Sequence, residues 1–143
     1  MKTNQIGMDL GGNSTMDESF VLFEKIITDR GSKYSVSGGR VTNREEVKAF
    51  LKELKRKKKY AKATHNTWAV RVEKDGQIWD IKNDDGETGA GATILRQLQQ
   101  ANMVNTIIVV TRWFGGVMLH GDRFKHVQDA TIYFLENIEK RTT

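Results

Sequence analysis

Residues 68–82 read WAVRVEKDGQIWDIK, two segments of alternating apolar and polar residues on either side of Asp75-Gly76. Asp-Gly is typical of the two-residue type I′ turn, because both central residues of that turn have positive φ angles. The turn sets the register of the hairpin, so Arg71 should face Asp80 across the strands. One face of the hairpin is then predicted to lie on the core, with Trp68, Val70, Val72, Trp79 and Ile81.

The stretch before the hairpin predicts two further elements and leaves a third open. Residues 16–28 combine helical apolar spacing with a β-branched end, so a short helix and the start of a strand are both open. Residues 34–41 alternate as a strand does, and Gly38-Gly39 is expected to form a bulge or bend. A capping box at residues 42–45 then opens an amphipathic helix.

After the hairpin, helix and strand patterns alternate. A Gly-rich turn opens a helix that ends near Asn102, and residues 107–110 form a β-branched run typical of a strand at the centre of a sheet. A final amphipathic helix begins near Asp122. The order β-α-β-β-α-β-α predicts an α+β fold, in which helices pack on a mixed β-sheet.

Composition places the chain among folded globular proteins. Its 143 residues suit one domain, with 38% hydrophobic and 29% charged residues. Cysteine is absent, which excludes disulfides, thiolate nucleophiles and cysteine-ligated metals and favours a cytoplasmic setting.

Residues 1–13 lack the apolar stretch of a signal peptide, and no segment has the roughly 20 apolar residues of a membrane span. We expect a frayed tail there and no membrane association. Residues 1–28 are predicted to be a tail with one short element of uncertain structure, ahead of a core domain at 29–140.

The net charge of +5 is concentrated in one segment. Residues 44–62 contain nine basic and three acidic residues, a local charge of +6. A basic helix at 44–62 favours an acidic partner such as RNA or an acidic protein surface. A solvated helix face is the simpler alternative, since basic residues in the last turn also suit the helix dipole. The candidate RNA-binding residues are Lys55, Arg56, Lys57, Lys58 and Lys59.

An acidic turn followed by glycines, DDGETGAG at residues 84–91, is the densest group of candidate ligands. Asp84, Asp85 and Glu87 can in principle bind Mg²⁺ or Ca²⁺, and free amides at the following helix start can hold an anion. The spacing matches neither an EF-hand nor a Walker A or GxGxxG motif. Acids at a helix N-terminus also serve the helix itself, so we predict no metal site and no cofactor.

The histidines and the aromatic motif after the predicted central strand give no complete catalytic constellation. His65 precedes the hairpin, and without cysteine a nucleophile would have to be Ser or Thr, yet no GxSxG elbow occurs. We therefore assign no catalytic residue. Trp113-Phe114 is open to two interpretations, an exposed aromatic platform for a base or peptide, or core aromatics before a tight turn.

Four separated motifs resemble successive signatures of the IMPACT/YigZ family. They are Ala63-Thr64-His65-Asn66, Asp84-Asp85-Gly86-Glu87-Thr88 with Gly91, Thr111-Arg112-Trp113-Phe114-Gly115-Gly116, and Asp122-Arg123-Phe124-Lys125-His126. Asp29-Arg30, Ser32 and Tyr34 resemble the family's entry motif, and the likeness runs from about Asp29 to Phe134. The last motif is more similar to the eukaryotic IMPACT branch than to bacterial YigZ.

The resemblance implies a fold like domain 2 of ribosomal protein S5 and a role in translational control. IMPACT-type proteins compete for the activator of the amino-acid-starvation kinase that acts on translation initiation factor 2. The implied partner is therefore a protein of the starvation-kinase activation pathway. No catalytic residues are established for the family, so we expect a regulatory binding module and no enzyme. RNA or ribosome binding through the basic segment is the first alternative, and a metal-dependent hydrolase is the second.

The motif residues form the predicted partner-binding surface: His65, Asn66, Asp84, Asp85, Glu87, Thr88, Arg112, Trp113, Gly115, Gly116, Asp122 and Arg123. If Arg112 does not contact the partner, it is expected to pair with Asp84 or Asp85. Two departures from the family stand out. No segment resembles the N-terminal RWD domain of full-length IMPACT or the ferredoxin-like C-terminal domain of YigZ proteins. His120-Gly121 also stands where the family usually has glycine followed by a small residue or proline, and a positive φ there would strain the histidine.

Overall fold

The computed structural model describes residues 13–141, and side chains as far as residue 138. The tail predicted for residues 1–13 lies outside the described residues except for Asn13. The strands are β1 Ser14–Thr15, β2 Val21–Asp29, β3 Ser32–Arg40, β4 His65–Lys74, β5 Gln77–Asn83, β6 Met103–Val104 and β7 Thr106–Trp113. The helices are α1 Arg44–Lys55, α2 Lys58–Ala61, α3 Ala90–Gln100 and α4 Asp122–Arg141.

The predicted α+β fold is confirmed, and both strand directions occur in it. The main sheet has the order β2-β3-β7-β4-β5, and all of its neighbours pair antiparallel. Parallel pairing is found between β1 and β6, which form a separate two-stranded sheet. β7 lies at the centre, as its β-branched run predicted, and every residue in it except Trp113 is buried. One core forms between the sheet and helices α3 and α4, and the other between the sheet and helices α1 and α2.

The hairpin register is confirmed, but one apolar residue of its core face is exposed. Asp75 and Gly76 have φ angles of 54° and 79°, and Arg71 Nε donates to Asp80 Oδ1 at 3.1 Å. Val70 and Val72 are buried in the core under α1 as predicted. Trp79 was predicted to lie there too, yet 50% of it is exposed. The reason is that α1 packs over the middle of the sheet, whereas Trp79 lies on the edge strand β5.

The first part of the chain differs from its predictions in two ways. Of the two options open for residues 16–28, the helix is wrong, because β2 already begins at Val21 and pairs with β3. The bulge also lies elsewhere, at Lys25 of β2, which has a φ of 50°. Gly38 and Gly39 instead sit in a regular ladder with β7, where side chains would not fit. A Cβ would lie 2.5 Å from the Phe134 ring at Gly38 and 2.1 Å from the Ser19 carbonyl at Gly39.

The basic segment is not one helix. Its N-terminal cap forms one residue later than predicted: Asn43 Oδ1 accepts from the backbone N–H of Glu46 at 2.8 Å, and Glu46 Oε1 accepts from that of Thr42 at 2.7 Å. The helix predicted for 44–62 is interrupted after Lys55, and Lys57 is extended with φ −77° and ψ 114°. This break lets Tyr60 turn back into the core, where its hydroxyl donates to Glu24 at 2.7 Å.

The two remaining helices are confirmed close to their predicted bounds. α3 buries Ile94 and Leu98, and α4 buries Val127 and Phe134. Among residues 13–141, no helix combines the length and the apolar character that crossing a bilayer requires.

Candidate functional site

Three strand ends and two helix starts meet at one end of the main sheet. β3 and β4 begin there and β7 ends there, because both run antiparallel to β7. The turn at residues 84–89 leads into α3 at the same end, and the loop at 114–121 leads into α4. The topology therefore brings together the four motifs that the sequence keeps far apart.

A buried carboxylate lies at the centre of this end. Glu87 is 2% exposed, and Arg112 Nη1 donates to its two carboxylate oxygens at 3.2 and 3.0 Å. Arg123 Nη1 donates to Glu87 Oε2 at 3.4 Å, and His65 Nε2 lies 3.9 Å from Oε1. We call Glu87, Arg112, Arg123, His65 and Ser32 the Glu87 cluster. Arg112 was expected to pair with Asp84 or Asp85 if it paired internally. That expectation is wrong, because the turn directs Glu87 toward Arg112.

Ser32 connects the cluster to the loop after β7. Its Oγ accepts from Arg112 Nη2 at 3.3 Å and from the backbone N–H of Gly115 at 3.2 Å. Gly115 is packed so closely that a Cβ would lie 2.0 Å from the carbonyl carbon of Gly31. The serine hydroxyl therefore fixes both the guanidinium and the start of the loop.

The two aspartates of the acidic turn bind backbone amides. Asp84 accepts from the N–H groups of Gly89 at 2.9 Å and Gly91 at 2.8 Å, at the start of α3. Asp85 Oδ2 accepts from the backbone N–H of Asn66 at 2.7 Å. Within residues 13–138, no group of three or more His, Asp or Glu side chains is arranged to hold a metal ion. Asp84 therefore serves the start of α3, which is the role that the sequence indicated for acids at a helix N-terminus.

His65 and Asn66 hold the turn against the sheet. His65 Nδ1 lies 2.9 Å from the carbonyl oxygen of Asp85, and it must donate there because a carbonyl oxygen only accepts. Asn66 is 4% exposed; its Nδ2 donates to the Tyr60 carbonyl at 3.0 Å, and its Oδ1 accepts from Thr111 Oγ1 at 2.7 Å. Asn66 therefore supports the surface from behind.

Trp113 and Phe114 divide between the two interpretations that the sequence left open. Trp113 Nε1 donates to the carbonyl of Lys59 at 3.0 Å, and its ring meets Tyr60 edge-on at 5.0 Å, so it joins the core under α1 and α2. Phe114 is 45% exposed, and Val117 and Met118 are 47% and 64% exposed. We call residues 114–118 the apolar loop. It also contains the predicted residues Gly115 and Gly116, both exposed, and Gly116 has a φ of 92°.

The remaining predicted residues lie at the rim. Thr88 is exposed, and Asp122 is bound by Arg30 Nη2. Arg30 also donates to Asp29, which His126 Nε2 meets at 2.7 Å. The hydrogen bonds from Arg30 and then His126 hold the pKa of Asp29 well below its usual range.

Tyr34 also lies at this end of the sheet, although it was not among the residues predicted for the site. It is fully buried and stands opposite Arg112 in the β3–β7 ladder, with the guanidinium carbon 5.7 Å from its ring centre. Burial raises the pKa of Tyr34 to about 12. Its place on an alternating strand was visible in the sequence, but its pairing with Arg112 was not.

His120, where this chain departs from the family pattern, is exposed and has a φ of 53°. The positive φ that would strain a histidine is therefore present, in the turn just before α4.

The candidate RNA-binding residues form a second charged surface. Lys55, Arg56, Lys57, Lys58 and Lys59 are all exposed. Lys59 Nζ pairs with Glu24 at 3.1 Å and Arg56 with Glu53 at 3.2 Å. Within the described part of the chain, no acid lies within ion-pair distance of Lys55, Lys57 or Lys58. We call these five residues the basic run.

The sequence is similar to one protein family over most of its length. The family model described as the Impact N-terminal domain matches residues 30–135. Protein IMPACT of Mus musculus is 40% identical over 120 residues, which cover 82% of this chain and 37% of the mouse protein. The Protein IMPACT homolog of Saccharomyces cerevisiae is 42% identical over 106 residues, covering 73% of this chain and 41% of the yeast protein. The chain thus spans about a third to two fifths of the length of the curated relatives it matches.

Two solved structures resemble the fold. The two-domain translational regulator Yih1 is 36% identical with a TM-score of 0.58, over 85% of this chain and 47% of Yih1. A crystal structure of a hypothetical protein gives a TM-score of 0.67 at 22% identity, over 82% of this chain and 60% of that one. The second likeness concerns the fold alone.

Proposed function

This chain belongs to the IMPACT family, and from that premise we propose that it is a regulatory protein of translation that acts by binding a protein partner. The family membership and the likeness to a protein described as a translational regulator support this proposal. Most polar groups of the Glu87 cluster and of the acidic turn make contacts that hold the surface in place. This supports a binding module over an enzyme.

The apolar loop is the observation that carries the proposal. Six large hydrophobic side chains are exposed in the described part of the chain, and three of them, Phe114, Val117 and Met118, lie in this loop. Protein interfaces commonly have an apolar centre with a polar rim. Here the loop is the apolar centre, and Thr88, Asp122 and the partly exposed Arg123 supply the rim.

We propose that the partner belongs to the activation pathway of the amino-acid-starvation kinase, and that binding lowers phosphorylation of translation initiation factor 2. This finer assignment rests on the IMPACT-type motifs. Residues 29–140 are the proposed functional core, supported at one edge by β2, and the proposed location is the cytoplasm.

The test is expression in amino-acid-starved cells, with the phosphorylated factor and the captured proteins followed together. Met118→Glu should weaken partner capture by at least about tenfold, because it places a charge in the apolar centre of the interface. Ile78→Glu is the matched control, since Ile78 is 40% exposed but lies on β5, away from the loop. Unchanged phosphorylation with no pathway protein captured by the wild type would rule out the proposal.

A second candidate function is RNA or ribosome binding through the basic run. It is favoured by one observation: Lys55, Lys57 and Lys58 are exposed and form no direct ion pair with a described residue. Nuclease treatment during the same capture separates the two functions, because a protein complex survives it and an RNA-bridged one does not.

A further inference from the structure

Three buried polar atoms at the site have no hydrogen-bond partner. Over the described residues, such atoms are Tyr34 Oη, Ser37 Oγ, Arg112 Nε and Arg123 Nε. All but Ser37 Oγ belong to the surroundings of Glu87. Buried polar groups in native proteins are nearly always bonded, so three unbonded ones in one place indicate a missing partner.

The three side chains that carry these atoms are neighbours. Arg112 and Arg123 donate to the same oxygen, Glu87 Oε2, at 3.0 and 3.4 Å. Tyr34 stands opposite Arg112 in the ladder, and both guanidinium groups interact electrostatically with its hydroxyl. Glu87 accepts from the Nη1 atoms of both arginines, and none of the three unbonded atoms donates to it.

The missing partner must be an acceptor. Nε–H groups only donate, and the tyrosine hydroxyl can donate as a third group. Asp29 is the other acid that interacts with Tyr34, and its carboxylate is already bound by Arg30 and His126. No acceptor among the described residues bonds to the three atoms, so an acceptor from outside them would complete the site.

Charge and shape narrow the class of acceptor. Two guanidinium groups and the Glu87 carboxylate leave one positive charge, which a carboxylate would neutralise. A phosphate monoester would bring about −1.5 to −2. Planar guanidinium groups also match planar carboxylates in paired hydrogen bonds.

The position of the cluster indicates where the carboxylate comes from. The side chain of Arg123 is 32% exposed and forms the outer wall of the cluster. Arg112 contacts the apolar loop, since its guanidinium carbon lies 5.8 Å from the centre of the Phe114 ring. We propose that the Glu87 cluster and Tyr34 receive an aspartate or glutamate side chain of the partner protein, whose neighbouring apolar residues pack on the apolar loop. This inference rests on the proposed function, since it specifies the chemistry of that partner.

The direct test uses acetate as a carboxylate probe and measures urea unfolding in sodium acetate and in sodium chloride of equal ionic strength. At an acetate concentration ten times its dissociation constant, the folding equilibrium constant should rise about 11-fold over that in chloride. Tyr34→Phe removes one donor and keeps the ring, so it should fold as well as the wild type in chloride but lose most of the acetate effect. Tyr60→Phe is the matched control, because it removes a buried hydroxyl that is bonded to Glu24, away from the cluster.

Three results would overturn the inference. One is equal stability of the wild type in the two salts. Another is a loss of stability in Tyr34→Phe that is the same in both salts, which would assign the three donors to a bound water. The third is a larger effect of inorganic phosphate than of acetate. None of these measurements needs the partner, so an acetate effect without partner capture in cells would leave the site standing and refute the proposed function.

Discussion

The Glu87 cluster and the basic run contain the same kinds of charged side chain in opposite surroundings. Arg112 is 5% exposed and is bonded to Glu87 and Ser32, whereas Lys57 and Lys58 are exposed and form no direct ion pair with a described residue. Both regions looked like binding surfaces in the sequence. The difference teaches that burial decides whether a charge needs a partner within the fold: the buried Arg112 is paired with Glu87, whereas an exposed lysine can stay solvated.

The largest effect is expected for Arg112→Ala. It leaves the Glu87 carboxylate buried with weaker compensation, so the free energy of unfolding should fall by about 3–5 kcal/mol. Urea denaturation followed by circular dichroism measures it. The double variant Arg112→Met with Glu87→Gln should recover part of the loss, because no buried carboxylate then remains and Arg123, which loses its partner Glu87, is 32% exposed to water. If Arg112→Ala were as stable as the wild type, the buried Arg112 would contribute no more to stability than the exposed lysines, and the difference between the two regions would be refuted.

Asp84→Ala should have the next largest effect. It removes the acceptor for the amides of Gly89 and Gly91 at the start of α3, at a cost of about 1–2 kcal/mol. Thr88→Ala is the control, because it changes an exposed residue in the same turn. Isothermal calorimetry with Mg²⁺ on the wild type adds a separate check. Micromolar binding that disappears in Asp84→Ala would instead favour the metal-dependent hydrolase.

A smaller effect depends on pH and concerns the rim of the cluster. The folded-state pKa of Asp29 lies below its unfolded value, so its interactions with Arg30 and His126 stabilise the fold above about pH 4. That contribution is lost as the pH falls below about 4 toward the lowered folded-state pKa. In Asp29→Asn the stability difference from the wild type should therefore shrink on acidification. A difference that stays constant from pH 7 to the acid range would show that the carboxylate charge of Asp29 does not act on stability.

The smallest effect on stability is expected in the basic run. Replacing Lys55, Lys57 and Lys58 together by Glu should change the free energy of unfolding by no more than about 0.5 kcal/mol per site, because exposed charges contribute little. If the run binds single-stranded RNA through all five residues, affinity should fall about 100-fold between roughly 50 and 200 mM salt. The triple variant should then lose both the binding and most of the salt dependence. A binding curve that does not respond to salt would remove the RNA hypothesis.

Local patterns in the sequence were sufficient for the elements whose determinants are near neighbours. The hairpin followed from the Asp75-Gly76 turn, and α4 followed from apolar residues spaced along one helix face. The buried strand β7 followed from its β-branched run. In each case the residues that determine the structure, those of a turn or of a helical repeat, are close together in the sequence.

The family motifs identified most residues of the candidate site but not their contacts. Arg112 and Glu87 were both on the predicted surface, yet their bond to each other was not foreseen. Both are nearly fully buried and hold the site together, and of their polar atoms only Arg112 Nε takes part in the proposed carboxylate site. The exposed members Asp85, Thr88, Gly115, Gly116 and Asp122 remain predictions, as does the role of the apolar loop.

Only the tertiary structure decided the features that depend on residues far apart in the chain. Tyr34 meets Arg112 because β3 pairs with β7, although the two residues are 78 positions apart in the sequence. Trp79 is exposed because α1 does not reach the edge strand, and the break after α1 places Tyr60 in the core, where it bonds to Glu24. The sequence by itself determined which segments are helix and strand wherever the local preference is strong, and which residue types are available at one end of the sheet. The pairing of those residues depends on the order of the strands and the placement of the helices. Both are determined by how the whole core is buried, and no local sequence pattern contains that information.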